Sequence, residues 1–175
     1  MNEGKVLRMN LLEIPQWYAI HTRSRHEQKV KEQFEKKNII HFLPLIKSLR
    51  YWKDRKKLLD FPLFPGYIFG YFPLKDRLKV LTTVGVVRIV GFQDGPVPVP
   101  EDQISAIQHL VASGLKYDPV PYFKEGQRVR VKRGPLAGVE GILLEKKKKF
   151  RLVISVDLIQ QSAALEIDSA DVESV

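Results

Sequence analysis

The hydrophobic pattern of this chain changes its period once, near residue 114, and that change limits the folds open to it. Before it, runs with strand-like alternation are interleaved with stripes at helical spacing. After it, only short alternating runs remain. "WYAIHT" (17–22) is an apolar strand, and Ser24 and Glu27 then form an S-x-x-E capping box ahead of Val30 and Phe34, an apolar pair four residues apart. "HFLPLIKSLRYWKDRKK" is extended, broken by Pro44, and ends in a very basic stretch. In "LDFPLFPGYIFGYF" (59–72) the final strand places Gly66, Ile68, Gly70 and Phe72 on one face and Tyr67, Phe69 and Tyr71 on the other. A sheet with one buried face should show polar residues on its other face. This strand shows rings, so either both faces are covered within the domain or the aromatic face meets a partner.

Leu74, Leu78 and Leu81 then make a short helical stripe that stops near Gly85, and "VVRIVGF" (86–92) is another strand. "EDQISAIQHLVASG" has Glu101 and Asp102 in its first turn, where the helix dipole favours acids, with Ile104, Ile107 and Val111 on one side. "GLKYDPVPYF" (114–123) has an opening glycine, two prolines and no periodicity, and reads as a linker. Beyond it come "QRVRVKR", the turn "GPLAG", "GVEGILLE", "KKKK", "FRLVISVDLI" and "ALEIDSADVESV", the spacing of a small antiparallel barrel. The expected class is α+β: a sheet with helices, followed by a small all-β barrel. The expected organisation is a flexible leader at 1–15, a mixed domain at 16–113, a linker at 114–123 and a second domain at 124–175.

Charge points to a partner class. Of the net charge of +9, residues 1–57 hold 14 Lys and Arg against 6 Asp and Glu, so nearly all the excess sits in the first third. A concentrated basic surface favours polyanions through counterion release. No cysteine is present, which removes disulfides and thiolate chemistry and suits a cytoplasmic protein. No apolar run approaches the roughly 18–20 residues of a membrane span. Histidines 21, 26, 41 and 109 show no metal-ligand spacing, and the three glycines of "GPLAGVEG" lead into a strand rather than the helix N-terminus that a phosphate-cradling loop requires. Neither an enzyme nor a cofactor is expected.

Three stretches, "WYAIHTRSRHEQKV", "FPLFPGYIF" and "VVRIVGF…PVPVPEDQI", resemble the N-terminal (NGN) domain of NusG-type transcription elongation factors, and "GQRVRVKRGPLAGVEGILL" resembles the KOW segment that follows it. The resemblance covers roughly residues 16–175. Within that family, "LRYWKDRKK" and "PLFPGYIF" are most similar to the specialised paralogues, RfaH and above all the UpxY-type antiterminators of polysaccharide operons. The resemblance implies that His21, Phe64, Tyr67, Phe69, Ile104 and Ile107 line a surface for the β′ clamp helices of RNA polymerase. It assigns Arg23, Arg25, His26 and Lys29 to the displaced non-template DNA strand. A contact with the β gate loop would come from residues 75–83, where "DRL" stands in place of RfaH's His-Thr-Thr.

In the KOW segment, Leu158 and Ile159 of "DLIQQS" occupy the apolar tip that NusG offers to ribosomal protein S10 or to Rho. Gln160 and Gln161 replace the neighbouring Gly-Arg, which disfavours Rho and leaves an S10-like partner. Lysines 146–149 either touch RNA or discourage edge pairing. The expected protein is a monomeric bacterial elongation or antitermination factor, with no membrane partner. The alternatives are a housekeeping NusG and a ribosome- or RNA-binding KOW protein.

Overall fold

The computed structural model describes residues 12–52, 55–123, 125–146 and 148–175. Most of the expected leader lies outside the described residues. Two compact units divide the chain: Met1–Leu43 with Phe64–Glu101, and Pro44–Leu63 with Asp102–Val175.

The first unit is built on β1 (Gln16–Thr22), α1 (Glu27–Lys36), β2 (Ile40–Phe42), β5 (Tyr67–Phe72), α2 (Arg77–Leu81) and β6 (Val86–Ile89), with a small hairpin of β7 (Gly91–Phe92) and β8 (Gly95–Pro96). Its antiparallel sheet runs β2-β5-β1-β6. Paired residues of neighbouring strands point to the same face, so register sorts the side chains. Trp17 pairs with Tyr71, Ala19 with Phe69 and His21 with Tyr67. Phe42 pairs with Phe69 from the other side. The parity expected for Tyr67, Phe69 and Tyr71 is therefore the observed one.

The opposite face carries Tyr18, Ile20, Ile68, Phe72 and Ile89, all buried. Val30 and Phe34 of α1 are fully buried as well. Phe34 lies 6.2 Å from the ring of His41, whose strand partner is Gly70 on that face. Burying a side chain of this size contributes about 1.5–3 kcal/mol.

Two local expectations need correction. Helix α1 is capped at His26, with no side-chain cap, so Ser24 does not form the capping box. Glu27 instead turns inward, 5% exposed, and accepts the backbone N–H of Gly66 at 2.7 Å. The Leu74, Leu78, Leu81 stripe also breaks up. Leu74 belongs to a 3-10 turn (Leu74–Asp76) that precedes α2, and the change in winding rotates Leu78 and Leu81 out to solvent while Val80 is buried.

The second unit contains the hairpin β3 (Leu45–Trp52) and β4 (Arg55–Pro62), nearly all of α3 (Glu101–Ala112), and an all-β sheet. That sheet comprises β9 (Tyr117–Val120), β10 (Gln127–Val131), β11 (Glu140–Lys146), β12 (Lys149–Val156), β13 (Gln161–Ile167) and β14 (Val172–Ser174). The pairing order is β14-β10-β11-β12-β13-β9. Leu152, Val153 and Ile154 are buried in succession, so both faces of β12 are covered. The centre of the expected linker is strand β9, paired with β13, and Pro119 is tolerated there because β9 is an edge strand. Gln103 of α3 exchanges two hydrogen bonds with Asp157, donating to its carboxylate at 2.9 Å and accepting its backbone N–H at 3.0 Å.

Candidate protein and nucleic-acid interface

The turn before β5 is fixed through one peptide unit on each side of Gly66. Its N–H is held by Glu27, and its C=O accepts the N–H of Thr22 at 2.8 Å. Gly66 has φ +84, and a Cβ there would meet nothing closer than the His21 ring at 3.7 Å. The demand for glycine in "FPGY" is thus one of backbone conformation rather than space. This turn sets Tyr67 against His21, with ring centroids 5.4 Å apart.

The same sheet face continues as a ladder of rings. Trp17 and Tyr71 are 5.3 Å apart, Phe42 and Phe69 6.2 Å, and Phe64 meets Phe69 edge-on at 6.4 Å. His21, Tyr67, Trp17 and Tyr71 are half-buried and reach solvent. Phe64 and Phe69 do not: they are 1% and 0% exposed. Ile104 and Ile107 on α3 are also fully buried. Of the six residues that the resemblance places on a docking surface, His21 and Tyr67 are thus partly open to solvent, while Phe64, Phe69, Ile104 and Ile107 are buried within this chain. Trp17 and Tyr71 are further half-exposed rings on this face, and the alternation of "WYAIHT", which places Trp17 with His21, is the signal that could have found them.

The basic residues lie on the loop entering α1. Arg23, Arg25 and Lys29 are exposed and His26 is half-buried. The loop is pinned: Arg23 N–H donates to Gly85 O at 2.8 Å, His26 N–H to Arg23 O at 3.1 Å, and His26 Nδ1 lies 2.9 Å from Ser24 O. Arg25 occupies the left-handed region at φ 61, where a non-glycine residue is sustained only by surrounding structure.

Among the described residues no carboxylate lies in ion-pair range of Arg23, Arg25 or Lys29. Several cations of the C-terminal sheet and its turns are paired: Arg128 and Arg130 with Glu140, Arg133 with Asp171, Lys149 with Glu166 and Arg151 with Asp118. Arg23, Arg25 and Lys29 thus differ from these paired cations in having no carboxylate neighbour among the described residues.

At the other end of the chain, "DLI" forms a 3-10 turn (Asp157–Ile159) closed by Gln160 at φ 50. Leu158 is half-buried, but Ile159 is 6% exposed and points into the core, so the expected two-residue apolar tip presents Leu158 alone. Of lysines 146–149, Lys149 is engaged by Glu166 and Lys147 lies outside the described residues. Among the described residues no group of three His, Cys, Asp or Glu is placed to hold a metal ion. No helix there is long and apolar enough to cross a membrane.

Comparison with known proteins gives one consistent answer. The family model described as "Transcription termination factor nusG" matches residues 15–108, more than half of the chain. The transcription termination/antitermination protein NusG of Staphylococcus carnosus is 29% identical over 175 residues, covering 91% of this chain and 95% of that protein. The protein of the same name from Borreliella burgdorferi is 25% identical, with 91% and 98% covered. Among solved structures, one described as "Domain interaction in Thermotoga maritima NusG" superposes with a TM-score of 0.57 at 23% identity, covering 92% of this chain and 97% of that one. That last likeness is one of fold.

Proposed function

The chain belongs to the NusG family, and from that premise we propose that it is a transcription elongation and antitermination factor that acts by binding RNA polymerase. The observation that carries this reading is the ring-bearing face of the first sheet, where His21 and Tyr67 stay half-exposed over a packed floor of Phe64 and Phe69. Aromatic side chains of this kind anchor protein interfaces. The β′ clamp helices are the proposed partner of His21 and Tyr67. Ile104 and Ile107 would serve through the packing of α3 rather than by direct contact. The displaced non-template strand would run over Arg23, Arg25, His26 and Lys29, whose free cations suit phosphates and whose imidazole can stack on a base. Exposed Leu78 and Leu81 on α2 would supply the apolar part of a β gate-loop contact. An S10-like partner would meet Leu158.

The protein would work by differential affinity. Bridging parts of the polymerase in its pause-resistant state shifts that equilibrium, and no covalent step or cofactor is needed. The resemblance of "LRYWKDRKK" and "PLFPGYIF" to the UpxY-type antiterminators supports a specialised paralogue serving a polysaccharide operon over a housekeeping factor.

Two substitutions test the docking face. Tyr67→Ala should weaken binding to isolated clamp helices by about 2 kcal/mol while leaving the melting temperature nearly unchanged. Phe69→Ala should instead destabilise the fold by about 3–5 kcal/mol, because it empties a core position. Normal binding by a folded Tyr67→Ala protein would remove this face from the mechanism.

A further inference from the structure

Hairpin β3–β4 forms a two-stranded sheet of its own. Its base is anchored: Leu43, Pro44 and Leu63 are buried, and Tyr117 donates its hydroxyl to Leu45 O at 2.7 Å. From Lys47 to Leu58 the described side chains are exposed. Between Lys47 and Lys57 the sequence places six cations and one acid, against a net charge of +9 for the whole chain.

Register sorts these cations. Arg50 pairs directly with Lys57, and Trp52 with Arg55, so Arg50, Lys57 and Arg55 share a face. The other face carries the oppositely charged pair Lys47 and Asp60, the pair Leu49 and Leu58, and the pair Tyr51 and Lys56. Like charges directly opposite on a strand pair are destabilising. Yet among the described residues no carboxylate relieves Arg50 or Lys57. The guanidinium of Arg50 rests 5.1 Å from the centroid of the Phe61 ring, which holds it on its face without neutralising it.

We propose that this ribbon is a second nucleic-acid site, separate from the residues around α1, and that its occupant is double-stranded B-form DNA. Arg50, Arg55 and Lys57 face the duplex. Two strands about 4.8 Å apart fit a major groove about 12 Å wide, which admits a two-stranded ribbon. The major groove of duplex RNA is too narrow and deep for one, which is why DNA is the assigned partner. Phosphates on either side of the groove supply the anion that the Arg50–Lys57 pair lacks.

The test is fluorescence anisotropy with the full-length protein and a labelled DNA duplex of roughly 20 base pairs, titrated between 50 and 200 mM salt. Each lost phosphate contact lowers the salt slope by about 0.9. Arg50→Gln with Lys57→Gln should therefore flatten the loss of affinity over that range by roughly tenfold. Lys47→Gln with Lys56→Gln, the same charge change on the other face, should have a clearly smaller effect. Arg50→Lys with Lys57→Arg should bind as the wild type does. The Arg50→Gln, Lys57→Gln protein should melt close to the wild type, since relief of the Arg50–Lys57 repulsion offsets loss of the Arg50–Phe61 contact.

Several outcomes overturn the proposal. One is an equal loss from both pairs, and another is duplex binding abolished by Arg23→Ala with Lys29→Ala while the ribbon variants bind normally. A duplex RNA of the same length bound as tightly as DNA, or no duplex binding at 50 mM salt, would also overturn it. Polymerase docking at Tyr67 is read in a separate assay and does not depend on any of these results.

Discussion

Glu27 is where a helix, a turn and the candidate docking face meet, so its substitution has calculable consequences. Its carboxylate is 5% exposed and accepts the Gly66 N–H at 2.7 Å. A hydrogen bond to a charged group contributes about 1.5–3 kcal/mol. An acid in the first turn of a helix adds about 0.3–1 kcal/mol. Glu27→Ala removes both and strands the Gly66 donor, so a loss of about 3 kcal/mol is expected. For a chain of this size that corresponds to roughly 6–12 °C in melting temperature. Glu27→Gln keeps an oxygen acceptor and forfeits only the charge, which should cost about 1 kcal/mol.

Urea denaturation followed by circular dichroism measures the totals. Amide hydrogen exchange at Gly66 reads the bond itself: protection should fall sharply in Glu27→Ala and only slightly in Glu27→Gln. This role for Glu27 fails if Glu27→Ala lies within about 0.5 kcal/mol of wild type, the range of ordinary surface substitutions. It also fails if Gln is as damaging as Ala while Gly66 stays protected.

Two further outcomes follow from the charges. Arg23→Ala with Lys29→Ala should impair capture of a paused transcription complex at its DNA signal and reduce the salt dependence of that step by about two contacts' worth. Binding to isolated clamp helices should be spared, and equal loss of both activities would remove the non-template role. At the C-terminal sheet, the Arg130 hydrogen bond, helped by the charges of Arg130 and Arg128, holds the Glu140 carboxyl below its usual range. A lowered folded-state pKa contributes stability above the unfolded-state value and loses it as pH falls through the folded one. Glu140→Gln should therefore make acid unfolding less steep below the usual carboxylate range, and an unchanged acid limb in a pH-dependent denaturation series would refute the pairing.

What was legible in the sequence was geometry carried by the chain itself. Alternation along "YIFGYF" placed Tyr67 with Phe69 because strand side chains alternate whatever covers them. Occupancy of each face was not legible: burial of Phe69 depends on Phe42 and Phe64, which come from separate segments. The same limit explains Glu27, whose spacing from Ser24 fits a local cap but whose actual partner lies 39 residues away. Strand β9 was invisible for another reason. It joins the sheet through backbone pairing with β13, and "YDPV" offers no side-chain period to read. For Ile159 the sequence showed an apolar residue at a turn, and the left-handed Gln160 beside it belongs to a short helical turn that spacing does not announce.

The attachment of the β3–β4 ribbon has a consequence for how such chains diversify. The ribbon interrupts the connection between β2 and β5, two strands that pair with each other, and it leaves and returns at one point, where Leu63 N–H donates to Pro44 O at 2.8 Å. A segment with closed ends can be lengthened, shortened or exchanged at the small cost of loop closure, about 0.6 kcal/mol for each doubling of its length. The β2–β5 register is set by its own pairing and need not change. The hairpin is in this sense a self-closed insert, whose tip can change while the sheet that carries it keeps its pairing.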